Sequence, residues 1–303
     1  MLRNLVITTA RRNGVYAASF TPASSSKLFS TLAADTAESA EKALVKVDIN
    51  ADDRIATLTL NRAPVNSLSL EMNEAISAAI KEVEGNRKVQ GMVLSSSNPT
   101  TLSAGLDLKE LYNPNPERLT KFWRYFQQVF LDLYGSRLAT VGAVGGNAPA
   151  AGCMLALSCD YRVMQGSTGD GPAPLIGLNE AKFGIAAPPF LGQLMLRTIG
   201  HRQGELALSL GTLFTPEQAL KVGLVDELAD GGQVLTRSQE VAKQWTQIPP
   251  HARVASKTLA RGEFLQDLIR NRDEDVEQFK NFVMNDMVQA NLGAYLKSLS
   301  GKK

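Results

Sequence analysis

The chain has 303 residues, 44% of them hydrophobic and 20% charged, the make-up of an ordinary globular protein with ample material for a core. Its net charge of +2 arises in residues 1–34, which hold Arg3, Arg11, Arg12 and Lys27 and no acid, so the rest of the chain carries −2. That balance excludes nucleic-acid binding by general basicity. No apolar run approaches the roughly 18 residues of a membrane span. Two histidines, His201 and His251, exclude a His-rich metal site, and Cys153 and Cys159 match no metal or redox spacing.

Residues 1–34 are Arg-bearing, acid-free and rich in Ser, Thr and Ala, with no continuous apolar core. That is the pattern of a mitochondrial transit peptide, with matrix residence as the expectation. The C-terminal Ser300-Gly301-Lys302-Lys303 is not a peroxisomal signal. Residues 35–44 read as a short lead-in. Two alternating runs, 45–49 and 55–60, predict strands joined by a turn at Asn50–Asp53. Ser67 or Ser69 caps a following helix whose buried stripe is Met72, Ile76, Ala79, Ile80 and Val83.

Gly91–Ser96 predicts a buried strand, and a loop then ends in Ser103-Ala104-Gly105-Leu106-Asp107-Leu108, which opens a helix. Phe122–Leu133 is a second helix with Phe122, Phe126 and Phe130 on one face. Ala139–Val144 is a strand leading through Gly145–Gly152 into an apolar helix at Cys153–Ser158, and Asp160–Met164 is a short strand. The Gly- and Pro-rich loop 166–174 feeds Leu175, Ile176 and Leu178, an apolar strand end before Glu180. Beyond Gly200 the pattern is helical: 203–210, 216–222, 232–245, 252–267 and 273–299, the last with Val276, Phe279, Phe282, Val283 and Met287 as its apolar stripe. The fold class is therefore α/β, with a core over 45–200 and an α-helical region over 201–303.

Glu180 is the residue with the most chemistry. A carboxylate among glycines, alanines and aliphatics is costly unless solvated, paired or used, and such surroundings raise its pKa towards that of a working base. The plainer reading is a helix cap or a surface acid. Two upstream junctions favour the functional reading: Ala104-Gly105-Leu106 and Ala150-Ala151-Gly152. Small residues there let a ligand approach the backbone, and the first turn of a helix leaves unpaired N–H groups.

The segments NRAPVNSLSLEM (61–72), SAGLDLKEL (103–111), PAAGCMLALSCDYRV (149–163), IGLNEAKFGI (176–185), IGHRQGELALSLG (199–211) and LFTPEQALKVGLVDEL (213–228) resemble the crotonase, or enoyl-CoA hydratase/isomerase, superfamily, and within it the Δ3,Δ2-enoyl-CoA isomerases. The resemblance runs from about residue 45 to the C-terminus. It implies a crotonase-like spiral of ββα units, closed by C-terminal helices that cover the acyl pocket and assemble a homotrimer. It further implies that the Leu106 and Ala151 N–H groups form an oxyanion hole for an acyl-CoA thioester. Ala104, Gly105, Leu106, Asp107 and Leu108 would line the acyl-CoA, and Asn66, Ser67 and Leu68 would meet the adenine. Lys109 is either near the CoA nucleotide or a solvated lysine, and Asp107 reads as a cap rather than a catalyst.

Hydratases of this superfamily carry two catalytic glutamates, at the positions of Met154 and Glu180. Met154 does no acid–base work, so the resemblance implies a single-glutamate isomerase moving a proton from C2 to C4 in the β-oxidation of unsaturated fatty acids. No metal and no cofactor beyond the substrate's coenzyme A are expected. A hydrolase or weak hydratase of the same fold, or a catalytically idle acyl-CoA-binding scaffold, are the alternatives. The Gly166–Pro174 stretch is longer than the family pattern and bears on the acyl pocket. Ala186–Phe190 reads either as a wall of the acyl tunnel or as a rigid turn.

Overall fold

The computed structural model describes residues 43–167 and 171–300. The expected leader at 1–34 and most of the lead-in lie outside them. Strands β1 (Val45–Asn50) and β2 (Ile55–Leu60) pair antiparallel, with Val45 opposite Leu60 and Asn50 opposite Ile55. Their turn is tied by Asn50, whose side chain donates to Asp53 and accepts from the Asp53 N–H. Parallel strands β3 (Gly91–Ser96), β4 (Ala139–Val144) and β6 (Tyr161–Gln165) follow across the sheet. A strand not expected from the sequence, β8 (Glu227–Ala229), closes the far edge against β6.

Helix α1 (Leu70–Gly85) is capped by Ser69, which accepts from the Met72 N–H, and all five residues of its expected stripe are buried. Helix α2 (Pro116–Tyr134) begins six residues earlier than the aromatic pattern suggests. Asn115 caps it by accepting from the Glu117 and Arg118 N–H groups, and Pro116 occupies the first turn. The Leu108 segment opens only a 3-10 turn, Leu108–Glu110. Helix α3 is Ala151–Leu157, and two-residue strands β5 (Ala148–Pro149) and β7 (Ile176–Gly177) pair parallel beside it. Further bridges, Leu68 to Leu106, Thr101 to Asn147 and Ile176 to Phe214, extend this second ladder.

Each turn of the chain therefore runs from a long sheet strand to a short ladder segment and then into a helix. This repeat is the spiral of ββα units that the family resemblance implies. Side chains of the long strands alternate between two packed faces: Met92, Leu94 and Met164 join the main core, while Val93, Val141 and Val163 face Val234, Val241 and Ala242 of α7 (Val234–Trp245). Burial on both faces is why these strands read as continuous apolar runs.

The region after Gly200 is not purely helical. With β8 completing the sheet and α7 covering one face, residues 227–245 finish the core, because an uncovered parallel sheet would leave its second apolar face in water. Around them lie α4 (Pro189–Ile199), α5 (His201–Leu210), α6 (Pro216–Lys221) and α8 (Pro250–Arg270). The long helix expected over 273–299 is two, α9 (Arg272–Val283) and α10 (Asp286–Ser300). Asn285 breaks it by accepting the Met287 N–H with its side chain. The break also moves Met287 out of the expected stripe, to 72% exposure.

Candidate active site

Gly105 and Gly152 bring the two small-residue junctions into contact. Gly105 has φ +94°, and a Cβ on it would lie 3.0 Å from Ala150 Cβ and 3.2 Å from the Ala151 nitrogen. A Cβ on Gly152 would lie 2.2 Å from the Ser103 carbonyl oxygen. Only glycine permits these approaches. The hinge has a further strained point, Ala150, at φ 50°.

The ladder orients the donors. Leu68 N–H donates to Gly105 O, and Asp107 N–H donates to Leu68 O, so the intervening Leu106 N–H points away from that bridge. Ala151 is the first residue of α3, where an N–H has no intrahelical acceptor. Among the described residues, neither the Leu106 nor the Ala151 N–H has a partner, and both residues line one apolar cavity of about 260 Å³.

Glu180 lines the same cavity, at the start of the 3-10 turn Glu180–Phe183. It is 9% exposed, and its Oε2 is buried without a hydrogen-bond partner among the described residues. Burial pushes its pKa up to about 7, opposed by a hydrogen bond from its own backbone N–H. Wholly buried Cys153 lies close enough to Glu180 for the carboxylate to add to the burial that raises its thiol pKa. Met154, also wholly buried, does not line the cavity; its sulfur accepts from Ser158 Oγ at 3.4 Å.

Of the other residues singled out in the sequence, none of 66–68, 104, 105 or 107–109 lines the cavity. Asn66 is buried at φ 49°, and its side chain is consumed by Ser96, Leu102 O and the Arg62 N–H. Leu68 is wholly buried and Ser67 half-buried, so only backbone is offered along most of 66–68. Asp107 accepts from the Lys109 N–H and pairs with Arg62 at 2.7 Å, a capping and bracing arrangement. Ala104 and Lys109 are exposed; Leu108 is half-buried against the core. Ala186, Ala187, Pro188 and Pro189 line the cavity, whereas Phe190 is core. None of the described residues of loop 166–174 reaches the cavity; Ser167 instead bonds Glu217.

Several braces were not legible in the sequence. Buried Glu110 accepts from the Leu70 N–H and from Arg118, which also reaches Glu71, so the turn after Leu106 is pinned to the starts of α1 and α2. Helix α10 clasps both halves of the site. Gln289 accepts the Asn113 N–H and donates to Leu111 O and Val283 O, while Tyr295 packs on Phe183 beside Glu180. The far cavity wall comes from Trp123 and from Phe279, Phe282 and Val283 of α9, with Trp123 stacked on Phe279 at 3.4 Å between centroids. Their helical periodicity was readable; the hollow beneath it was not. Among the described residues no cluster of His, Cys, Asp or Glu suits a metal ion, and no helix is long and apolar enough to cross a membrane.

A spiral of ββα units presenting two free backbone donors and one buried carboxylate to an apolar cavity is the architecture of an acyl-CoA-handling enzyme family. The enoyl-CoA hydratase/isomerase family model matches residues 50–301, and the chain belongs to that family. Among curated relatives, enoyl-CoA delta isomerase 1, mitochondrial, of Mus musculus is 41% identical over 259 residues, 86% of this chain and 88% of the mouse protein. The Homo sapiens protein of that name is 39% identical over 263 residues, 87% of this chain and 85% of the human one. The crystal structure of human mitochondrial delta3-delta2-enoyl-CoA isomerase superposes with a TM-score of 0.82 at 39% identity, covering 86% of this chain and 99% of that one. An enoyl-CoA hydratase from Bacillus halodurans, 23% identical with a TM-score of 0.74 over 83% of this chain and 99% of its own, shares the fold.

Proposed function

We propose that the protein is a mitochondrial enoyl-CoA isomerase converting cis- or trans-3-enoyl-CoA to trans-2-enoyl-CoA in the matrix, within the β-oxidation of unsaturated fatty acids. The isomerase names of relatives near 40% identity support the reaction, and their mitochondrial names support the location. The observation that carries the mechanism is the buried, unpartnered Glu180 Oε2 facing a cavity shared with the free Leu106 and Ala151 N–H groups.

In this reading the thioester oxygen sits between the two N–H groups, which acidify the C2 protons. Ionised Glu180 takes one proton from C2, and the electron pair delocalises through the 3,4 double bond to give a dienolate held by the same donors. The protonated Glu180 then gives its proton to C4, leaving the double bond between C2 and C3 and the carboxylate restored. One carboxylate exchanges one proton at two carbons, so the cycle needs no metal and no redox cofactor. Each oxyanion donor lowers such barriers by about 2.7–4 kcal/mol, and a positioned base contributes about 10²–10⁴ in rate. Met154 has no acid–base group at the position where hydratases of the family carry their other glutamate, which supports isomerisation over hydration.

We assign the CoA nucleotide to the surface beside Leu106, along Asn66–Leu68 and Ala104–Lys109, with Lys109 as an exposed cation. The family resemblance supports a homotrimer, which sedimentation analysis would test. The test of function is incubation with trans-3-hexenoyl-CoA, reading conjugated 2-enoyl-CoA, free CoA and 3-hydroxyacyl-CoA in one tube. Conjugated product alone supports the reading; free CoA as the main product would make it a hydrolase, and binding without turnover at any chain length an idle scaffold.

A further inference from the structure

A second hollow of about 240 Å³ adjoins the far end of the acyl cavity, and Pro189, Asp275 and Gln278 line both. These three residues are therefore the partition between them. The two sides differ in chemistry. The first is walled by Trp123, Phe279 and aliphatics; the second sets the Asp267, Glu274 and Asp275 carboxylates, with Asn271 and Gln193, beside Phe190, Phe264 and Leu268, and Arg270 reaches Asp267 at 3.5 Å without lining it.

The partition has one fixed and one movable part. Asp275 Oδ2 accepts from the indole of wholly buried Trp123 and from Gln127, each at 2.7 Å. Gln278 is exposed, and among the described residues its only side-chain bond is to Glu274, itself exposed, at 3.0 Å. Rotating a surface glutamine off a surface glutamate is cheap. Gln278 is therefore the part of the partition that can move, and the hollow beyond it is nearly as large as the first, about 240 Å³ against 260 Å³.

We propose, resting on the acyl-CoA reading above, that Gln278 is a gate that sets acyl length, and that the chamber behind it takes the polar, uncharged end of a long chain, as in an ω-hydroxyacyl-CoA. A hydroxyl entering that chamber donates to a carboxylate in a charge-assisted bond. A methyl-ended chain of equal length meets Phe190, Phe264 and Leu268 but also takes water from the carboxylates without giving them a donor. An ω-carboxylate meets Glu274 and Asp275 as like charges, Arg270 offsetting only Asp267.

The test is calorimetric binding of saturated hexanoyl-, dodecanoyl- and hexadecanoyl-CoA, the two longer ones also in ω-hydroxy and ω-carboxy forms, to the wild type, Gln278→Ala and Glu274→Gln. Among the long ligands, the ω-hydroxy form binds the wild type about tenfold tighter than the other two, a difference of about 1.4 kcal/mol. Gln278→Ala tightens long methyl-ended ligands increasingly with length, and Glu274→Gln improves the ω-carboxy form most. Equal affinities for the three chain ends, or a Gln278→Ala effect uniform from hexanoyl upward, would overturn the gate. Turnover of 3-hexenoyl-CoA by the same preparation separates the two claims. Its absence alongside intact length and end-group effects counts against the isomerase and leaves the gate standing.

Discussion

Replacing Glu180 by Gln should stabilise the folded protein, and by an amount that depends on pH. Burial holds the Glu180 carboxyl at a pKa of about 7 against an ordinary 4.5. Below pH 4.5 the group is protonated in both folded and unfolded chains and contributes no difference. As pH rises from 4.5 towards 7 the unfolded chain loses this proton while the folded one keeps it, so the folded state progressively loses stability, up to about 3 kcal/mol once both are ionised. Glutamine has nearly the same shape and no charge to desolvate. Urea unfolding of both proteins at pH 5 and pH 8 should therefore show a small gap at pH 5 that widens at pH 8, with the variant the more stable. A pH-independent difference, or a wild type that gains relative to the variant with rising pH, would refute the claim that burial of the Glu180 carboxylate outweighs the hydrogen bond from its own N–H. Stability given up at this position is what a base poised near neutrality requires.

The same group fixes the acid limb of activity: kcat/KM for a 3-enoyl-CoA should fall below an apparent pKa near 7, and a flat profile down to pH 5 would contradict the assignment. Gly152→Ala should lose about 1–3 kcal/mol or more of stability, and most activity, because its Cβ meets the Ser103 carbonyl at 2.2 Å; unfolding curves and initial rates check both. Gln289→Ala removes the bonds that join α10 to Leu111 and Asn113 after the Leu106 turn and to Val283 at the end of α9, and should lower kcat about tenfold with less change in KM. Met154→Glu would bury a second carboxylate at a wholly enclosed position and should destabilise the fold by several kcal/mol, measured by denaturant unfolding, instead of creating a hydratase.

Much of the sheet was legible because β1 and β2 alternate and β3 and β4 are apolar on both faces, and α1 because its stripe is regular and Ser69 caps it. Glu180 stood out through its company, two small-residue junctions and an apolar approach, and not through any feature of its own. What escaped reading depends on contacts remote in sequence. Strands β5 and β7 have two residues each, too few for any periodicity, and exist because β5 finds β7 across α3 and β6. β8 is three half-buried residues whose role is to close an edge. The division between α9 and α10 turns on a single side-chain acceptor, Asn285, in an otherwise helical run. The braces Glu110, Arg118 and Gln289 are ordinary polar residues locally and acquire meaning only where the chain returns to them.

The account's central claim is that one carboxylate carries the same proton from C2 to C4. Its most direct test is the fate of deuterium from C2-dideuterated 3-hexenoyl-CoA in wild type and Glu180→Gln. The account predicts conjugated product carrying deuterium at C4 from the wild type and almost no product from the variant. Conjugated product with no deuterium at C4, formed as fast by the variant as by the wild type, would contradict it.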